Sequence, residues 1–133
     1  MPLGRKRRCG WLDLPLVKYS ARVNGITNIA LTKLDVLTGL DPVNLCIAYE
    51  SQGKIVESVP AKLSTLNSCT PVYEEMDGWD ENVSGARTFD ELPSNTRAYI
   101  KRIEEFIEVP VSIISVGPGR DETIICKNPF NNK

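Results

Sequence analysis

The chain has 133 residues, of which 41% are hydrophobic and 25% are charged, and its formal net charge is −1. This length and composition are typical of one folded unit with a hydrophobic core, and the near-neutral charge excludes a protein that binds nucleic acid over its whole surface. No apolar stretch approaches the roughly 20 residues of a membrane span, and no apolar segment follows the N-terminal charges as in a signal peptide, so we expect a cytoplasmic protein without a membrane partner.

The first predicted elements are a helix and a strand. Asp13 can cap a helix of about ten residues that tolerates Pro15 in its first turn and stops at Asn24-Gly25. The apolar run at residues 27–34 predicts a buried strand of a parallel sheet. Polar residues end that run, as they do where parallel strands face a ligand crevice.

The rest of the chain, from residue 45 onward, is predicted to contain strands, two helices and one irregular segment. A segment rich in Asp, Gly and Asn around Trp79, at residues 76–85, is expected to be irregular. Apolar residues at helical spacing predict the longest helix, which Pro110 ends. The predicted elements are hairpin strands at 45–50 and 54–59, a short helix at 63–68, a strand at 72–74, the long helix at 94–108, and strands at 111–115 and 123–126.

Residues 32–35, with the sequence Thr-Lys-Leu-Asp, end the first predicted strand and suit the recognition of guanine. The carboxylate of Asp35 has two acceptor oxygens, and the edge of guanine presents two adjacent N–H donors that adenine lacks. The stem of Lys33 can lie along the face of the base while its ammonium group stays solvated. Such a short string is common by chance, so its meaning depends on the rest of the chain.

Two further segments could complete a nucleotide site, and each also has an ordinary structural interpretation. The basic run at residues 5–8 offers guanidinium groups that suit phosphates and carboxylates, or it is a solvated basic terminus. The turn at residues 115–119 lacks the Gly-x-x-x-x-Gly-Lys-Ser/Thr pattern of a phosphate-binding loop. Its backbone amides could meet a carbonyl such as guanine O6, or it is a simple hairpin turn.

The other candidates favour structural roles. The carboxylates within residues 74–81 could supply an acid and a base, but a solvated acidic loop is the simpler interpretation. Trp11 and Trp79 have no cationic or stacking neighbours in sequence, which favours packing in a core or an interface. Cys46 and Cys126 lie in apolar runs and are predicted to be buried and reduced.

Histidine is absent from the chain, and its four cysteines form no Cys-x-x-Cys pair. A zinc site is therefore not expected. The absence of histidine also removes the commonest general base and every Ser-His or Cys-His nucleophile. If the chain belongs to an enzyme, much of the chemistry must lie elsewhere.

Seven motifs are distributed along the chain: GRKRRCGWLD (4–13), VNG (23–25), LTKLDVL (31–37), PVYE (71–74), GW (78–79), YIKRIE (99–104) and SVGP (115–118). In order and spacing, from residue 4 to about residue 130, they resemble the C-terminal region of the adenylosuccinate synthetase family. The resemblance implies an α/β fold, the C-terminal part of a P-loop-type GTP-dependent ligase, with a mixed sheet and flanking helices. Residues 1–133 would form one segment, with a substrate-loop remnant at 1–10, a guanine-binding part at 11–130 and a tail at 131–133.

The activity that the resemblance implies is the synthesis of adenylosuccinate, GDP and phosphate from IMP, L-aspartate and GTP, with Mg²⁺, in purine nucleotide biosynthesis. GTP first phosphorylates the 6-oxygen of IMP, and the aspartate amine then displaces the phosphate. The implied partners are these three small molecules and a second subunit of a cytoplasmic homodimer, with neither nucleic acid nor membrane.

The resemblance also implies two groups of site residues. Gly4, Arg5 and Arg7 would bind IMP and aspartate. GTP would be bound by Arg7, Lys33, Leu34, Asp35, Ser115, Val116 and Gly117.

The sequence departs from the family in two respects. Residues 1–3 replace a threonine-rich segment that helps to hold aspartate. The chain also lacks the family's glycine-rich phosphate loop with its lysine, the aspartate that serves as base and magnesium ligand, and the histidine that assists phosphoryl transfer. We therefore expect a C-terminal piece of a longer enzyme, inactive by itself and without catalytic or metal-binding residues. The alternatives are a non-catalytic module that binds an anionic partner such as nucleic acid through its basic N-terminus, or a guanine-nucleotide-binding regulatory protein.

Overall fold

The computed structural model describes residues 8–130. Its helices and strands, in chain order, are β1 (Leu12–Asp13), α1 (Leu14–Asn24), β2 (Ile29–Leu31), β3 (Val43–Ser51), β4 (Lys54–Val56), α2 (Leu63–Ser68), β5 (Thr70–Met76), α3 (Ser94–Ile107), β6 (Val111–Ser115) and β7 (Thr123–Ile125). Short 3₁₀ helices at Leu34–Leu37, Val83–Gly85 and Phe89–Glu91 lie in the connections. No helix within this part of the chain is long and apolar enough to cross a membrane.

The strands form two mixed sheets. In the first, β3 pairs in parallel with β1 and antiparallel with β4 and β5. In the second, β6 pairs in parallel with β2 and antiparallel with β7. The predicted α/β fold with mixed sheets and flanking helices is confirmed.

Helix α1 begins and ends as its sequence predicts. The carboxylate of Asp13 accepts a hydrogen bond from the Leu16 N–H at 3.0 Å, which satisfies one of the free donors of the first turn. The same Oδ1 atom accepts a hydrogen bond from the Tyr49 hydroxyl at 2.6 Å, which ties the helix to β3. At the other end, Gly25 adopts the left-handed conformation and its N–H donates to the Ala21 carbonyl.

Helix α3 supplies much of the core. Its buried face carries Tyr99, Ile100, Ile103 and Ile107, the 3/4 spacing expected from the sequence. On the opposite side, Arg102 Nε donates to Glu74 Oε2 at 2.6 Å and so joins the helix to β5. The core that these residues join also contains Leu14, Leu34, Val43, Leu45, Trp79, Val83, Ile114, Val116 and Ile124.

Several predicted strands have different bounds in the structure. The strand expected at 27–34 is only β2, because Lys33 adopts a left-handed conformation with φ of 62° and Leu34 begins a 3₁₀ helix. The second hairpin strand ends at Val56 rather than at residue 59. The strands expected at 45–50 and 72–74 are longer, as β3 and β5. Strand ends depend on pairing and backbone conformation, which apolar periodicity alone does not register.

The prediction that Cys46 and Cys126 are both buried is half right. Cys46 is buried in the middle of β3, whereas Cys126 is exposed. Cys126 follows β7, the outer strand of its sheet, where Ile124 faces the core and Ile125 faces outward. The apolar run at residues 124–126 therefore includes positions, such as Ile125 and Cys126, that are exposed rather than buried in the core.

The loop after β5 packs against the loop that follows the 3₁₀ helix Leu34–Leu37. The Gly39 N–H donates to the Trp79 carbonyl at 2.8 Å, and the Gly78 N–H donates to Asp41 Oδ1 at 3.0 Å. A Cβ atom at Gly78 would overlap the Leu40 carbonyl. Trp79 is buried, in agreement with its predicted packing role, and its ring lies 5.7 Å from that of Tyr99.

Candidate functional site

The two predicted guanine-binding segments follow neighbouring parallel strands. Residues 33–35 come after β2, and residues 115–117 come at the end of β6. Leu31 and Ile114 are paired across the two strands, so both segments leave the sheet at the same edge. The 3₁₀ helix that contains Asp35 also contacts β6. We call residues 33–35 and 115–117 the strand-end site; carboxyl ends of parallel strands are where α/β sheets commonly bind ligands.

On the β2 side, the backbone presents two charged side chains of opposite sign. Lys33 is exposed and has φ 62° and ψ 35°, a conformation that costs an L residue roughly 1–2 kcal/mol. Asp35 is half-buried in the first turn of the 3₁₀ helix. Within residues 8–130 neither side chain has a hydrogen-bond or salt-bridge partner, so both remain available to a ligand. Strained backbone of this kind is often found at binding sites.

On the β6 side, the turn is fixed by its own hydrogen bonds. The Ser115 hydroxyl donates to the Gly117 carbonyl at 3.0 Å, and the Val116 N–H donates to the Glu122 carbonyl at 2.9 Å. Within the described part of the chain, the Gly117 N–H has no hydrogen-bond partner. This amide is therefore an unpaired donor directly after β6.

Two of the predicted GTP-binding residues can offer only their backbone. The side chains of Leu34 and Val116 are 1% and 0% exposed and belong to the core. They anchor the two segments of the strand-end site to the packed interior. Any contact of these residues with a ligand would use peptide N–H or C=O groups.

A small pocket of about 180 Å³ opens beside Lys33. Its lining joins the β2 side of the strand-end site to the segment that precedes β1. The lining residues are Gly10, Trp11, Leu12, Leu31, Thr32, Lys33, Leu34, Leu37 and Tyr99. Sequence reasoning assigned Trp11 and Tyr99 to packing. No short pattern around Trp11 or Tyr99 indicates a pocket, because the residues that line it come from distant parts of the chain.

The environment of the pocket keeps Tyr99 neutral. Burial raises the pKa of Tyr99 to about 12, because the charged phenolate is poorly solvated in the core. Lys33 thus lies beside a neutral, largely apolar wall. Such a wall suits the face of a base better than it suits a phosphate.

Other parts of the chain contribute less to the candidate site. A larger open groove of about 570 Å³ lies between α1 and the end of α3, but none of the predicted site residues lines it. Among residues 8–130, no group of three or more His, Cys, Asp or Glu side chains is arranged to hold a metal ion. Gly4, Arg5 and Arg7, the predicted IMP and aspartate residues, lie outside the described residues.

Comparison with known families identifies this chain. The sequence model described as adenylosuccinate synthetase matches residues 2–124, almost the whole length. The chain belongs to the adenylosuccinate synthetase family. The family suggested by the motifs is therefore confirmed.

Individual members of the adenylosuccinate synthetase family agree closely in sequence. The chain is 57% identical over 127 residues to the adenylosuccinate synthetase of Desulfatibacillum aliphaticivorans and 56% identical over 127 residues to that of Moorella thermoacetica. Each comparison covers 96% of this chain and 30% of the relative. The chain thus spans about 30% of the length of the curated relatives that it matches.

A solved structure gives the same result for the fold. The fully ligated adenylosuccinate synthetase from Plasmodium falciparum matches with a TM-score of 0.88 and 42% sequence identity. The match covers 92% of this chain and 30% of that chain. Nearly all of the present fold therefore corresponds to one part of an adenylosuccinate synthetase.

Proposed function

We propose that this chain is the guanine-recognising segment of an adenylosuccinate synthetase, which makes adenylosuccinate, GDP and phosphate from IMP, L-aspartate and GTP. The observation that carries the proposal is the strand-end site, where the segments of Lys33 and Asp35 and of Ser115 and Gly117 leave one sheet edge. In a chain of this family, such a site suits the nucleotide that supplies the phosphoryl group. The whole protein would serve purine nucleotide biosynthesis as a cytoplasmic homodimer.

Recognition of the base would use groups with complementary hydrogen-bonding capacity. The Asp35 carboxylate accepts from the N1–H and the 2-amino group of guanine. The free Gly117 N–H donates to O6, and the stem of Lys33 covers the face of the base. An adenine base has an amino group in place of O6 and lacks both donors that Asp35 needs. Base identity would thus be read at two separate points.

The other substrates would be bound through residues near the N-terminus. Gly4, Arg5 and Arg7 are proposed to contact IMP and aspartate, and Arg7 also GTP, because these ligands carry phosphate and carboxylate groups that guanidinium recognises. Gly10, a few residues further along the chain, lines the pocket beside Lys33. The described carboxylates do not form a set that fits Mg²⁺, so no step at the metal is assigned to them.

The proposal can be tested in a full-length chimera. The chimera joins the N-terminal part of the Desulfatibacillum aliphaticivorans relative to this chain where their similarity begins. We expect it to form adenylosuccinate with GTP and to use XTP poorly. Asp35→Asn should lower kcat/KM for GTP about 10- to 100-fold and improve the relative use of XTP, because one acceptor becomes a donor that can meet the 2-oxygen of xanthine.

The matched control is Asp121→Asn, which makes the same change on the exposed turn between β6 and β7. It should leave the preference for GTP over XTP unchanged. An Asp35→Asn chimera with the GTP preference of the unsubstituted chimera would remove Asp35 from the base site. A chimera unable to form adenylosuccinate would argue against the function itself.

A further inference from the structure

Glu122 forms three hydrogen bonds with other residues of the turn between β6 and β7. Its backbone carbonyl accepts from the Val116 N–H at 2.9 Å, and its N–H donates to the Gly119 carbonyl at 3.1 Å. Its side-chain Oε2 accepts from the Gly119 N–H at 2.5 Å. One residue thus contacts the turn through its backbone and its side chain together.

The two glycines of the turn leave the space that this carboxylate occupies. A Cβ atom at Gly117 would lie 2.5–2.6 Å from the carboxylate atoms of Glu122, and one at Gly119 would lie 2.7 Å from Oε2. Neither glycine has a positive φ, so backbone conformation does not require glycine here. A larger residue at either position would therefore displace the carboxylate from the turn.

Glu122 takes two of the backbone donors at the β6 end of the turn. Pro118 has no N–H, and the amides of Val116 and Gly119 both donate to Glu122. Among residues 116–119, this leaves the Gly117 N–H without a partner in the described part of the chain. Arg120 and Asp121 also have unpaired amides, but both residues are exposed, whereas Gly117 is half-buried. A carbonyl ligand at the strand-end site would give the Gly117 amide an acceptor.

We infer that Glu122 is a positioning residue for base recognition: it fixes the turn so that the Gly117 amide, the unpaired donor next to the end of β6, faces the 6-oxygen of the bound purine. The inference rests on the proposed function of the strand-end site. Glu122 does not itself read the base. Glu122 positions the Gly117 N–H, which distinguishes a 6-oxo purine from adenine. Asp35 instead accepts from the base, and the 2-amino group of guanine distinguishes guanine from xanthine there.

The first test uses the 133-residue chain and needs no nucleotide. Amide hydrogen exchange is measured by NMR for Gly119 and, as an internal reference, for Ile103 in α3. Glu122→Ala should speed exchange at Gly119 about 10- to 100-fold and leave Ile103 unchanged, because the hydrogen bond to a charged acceptor is lost. Glu122→Gln keeps an acceptor oxygen and should stay within a few-fold of the unsubstituted chain. Unchanged Gly119 exchange in Glu122→Ala would overturn the inference.

The second test uses the full-length chimera and compares three nucleotides. Glu122→Ala should raise KM for GTP about 10-fold or more, with kcat within about twofold, and should weaken the preference for GTP over ATP. The preference for GTP over XTP should not change, because both bases carry O6. Glu122→Gln should restore the GTP values, and Asp121→Ala, its exposed neighbour, should resemble the unsubstituted chimera.

The outcomes separate this inference from the function on which it rests. Unchanged KM and unchanged ATP discrimination in an active Glu122→Ala chimera would overturn the positioning role. A changed preference for GTP over XTP would overturn it as well, because Glu122 would then read the base directly. If the unsubstituted chimera is inactive, the proposed function fails, and Gly119 exchange decides whether Glu122 holds the turn.

Discussion

Tyr99 carries an ionisable group into the core, next to the pocket beside Lys33. It is 4% exposed, and burial raises its pKa from 10.0 to about 12. Because the pKa is higher in the folded state than in the unfolded state, the neutral phenol stabilises the fold fully below pH 10. That contribution is lost as pH rises from 10 to about 12.

We therefore expect the free energy of unfolding to fall by up to about 3 kcal/mol across this range because of Tyr99. Tyr99→Phe keeps the ring but removes the ionisable group, so its alkaline decline should be shallower. Urea unfolding at a series of pH values measures the difference. Tyr19→Phe, at a 47% exposed tyrosine, is the control. Equal slopes for all three proteins would contradict the assignment.

At the candidate site, the chemistry of a side chain could be predicted from the sequence, but backbone conformation and long-range position could not. The guanine recognition proposed for Asp35 follows from its two acceptor oxygens, which the residue type alone specifies. The left-handed backbone of Lys33 is not predictable in this way, since lysine rarely adopts it. Glu122 was missed because its role depends on a turn that brings its carboxylate back over residues 117 and 119.

At the scale of elements, a side-chain hydrogen bond joins the N-cap of α1 to β3. The Tyr49 hydroxyl donates to Asp13 at 2.6 Å, and burial together with Asp13 raises the pKa of Tyr49. Tyr49→Phe removes this donor and leaves Asp13 with its helix cap alone. We expect a loss of about 1–2 kcal/mol in the free energy of unfolding, measured by urea denaturation.

The matched control for this contact is Tyr73→Phe, on the strand paired with β3. Tyr73 is 45% exposed and its hydroxyl has no hydrogen-bond partner within residues 8–130. Its replacement should change stability by less than about 0.5 kcal/mol. If both substitutions cost the same, the Tyr49–Asp13 hydrogen bond does not stabilise the fold.

Helices were easier to predict than strands because their signals are local. The Asp13 cap, the Gly25 stop and the apolar spacing of α3 lie within the elements that they define. The pairing of β2 with β6 joins residues about 80 positions apart in sequence, so no short pattern specifies it. The edge position of β7, which exposes Cys126, depends on the same long-range arrangement.

At the scale of the whole molecule, the proposed chemistry needs more than this chain supplies. Its sequence has no Gly-x-x-x-x-Gly-Lys-Ser/Thr loop and no histidine. The 133-residue chain alone should therefore not form adenylosuccinate, and it should bind GTP weakly because the phosphates lack a backbone cradle. The full-length chimera should be active. Coupled assays and calorimetric titration measure both properties, and activity of the isolated chain would contradict the prediction.

The sequence was most informative about the family to which the whole chain belongs. Motifs distributed from residue 4 to residue 118 had the order and spacing of one family, and the matched region at residues 2–124 agrees. Several separate motifs identify a family more securely than one short motif such as Lys33-Leu34-Asp35. A single short match can arise by chance, whereas chance matches at several positions in the right order are rare. What the motifs could not give is which distant residues, such as Lys33 and Tyr99, line the same pocket.

The tight approach of Gly78 to the Leu40 carbonyl bears on how mutational tolerance in this chain should be interpreted. In a saturation library, position 78 should accept only glycine, although the residue lies outside the strand-end site and lacks a side chain to contribute. Its intolerance would report the spacing between two loops rather than contact with a nucleotide. A map of essential positions would therefore mark residues that pack the loops together as well as residues of the proposed nucleotide site. Only nucleotide-specific readouts would separate these two groups of residues.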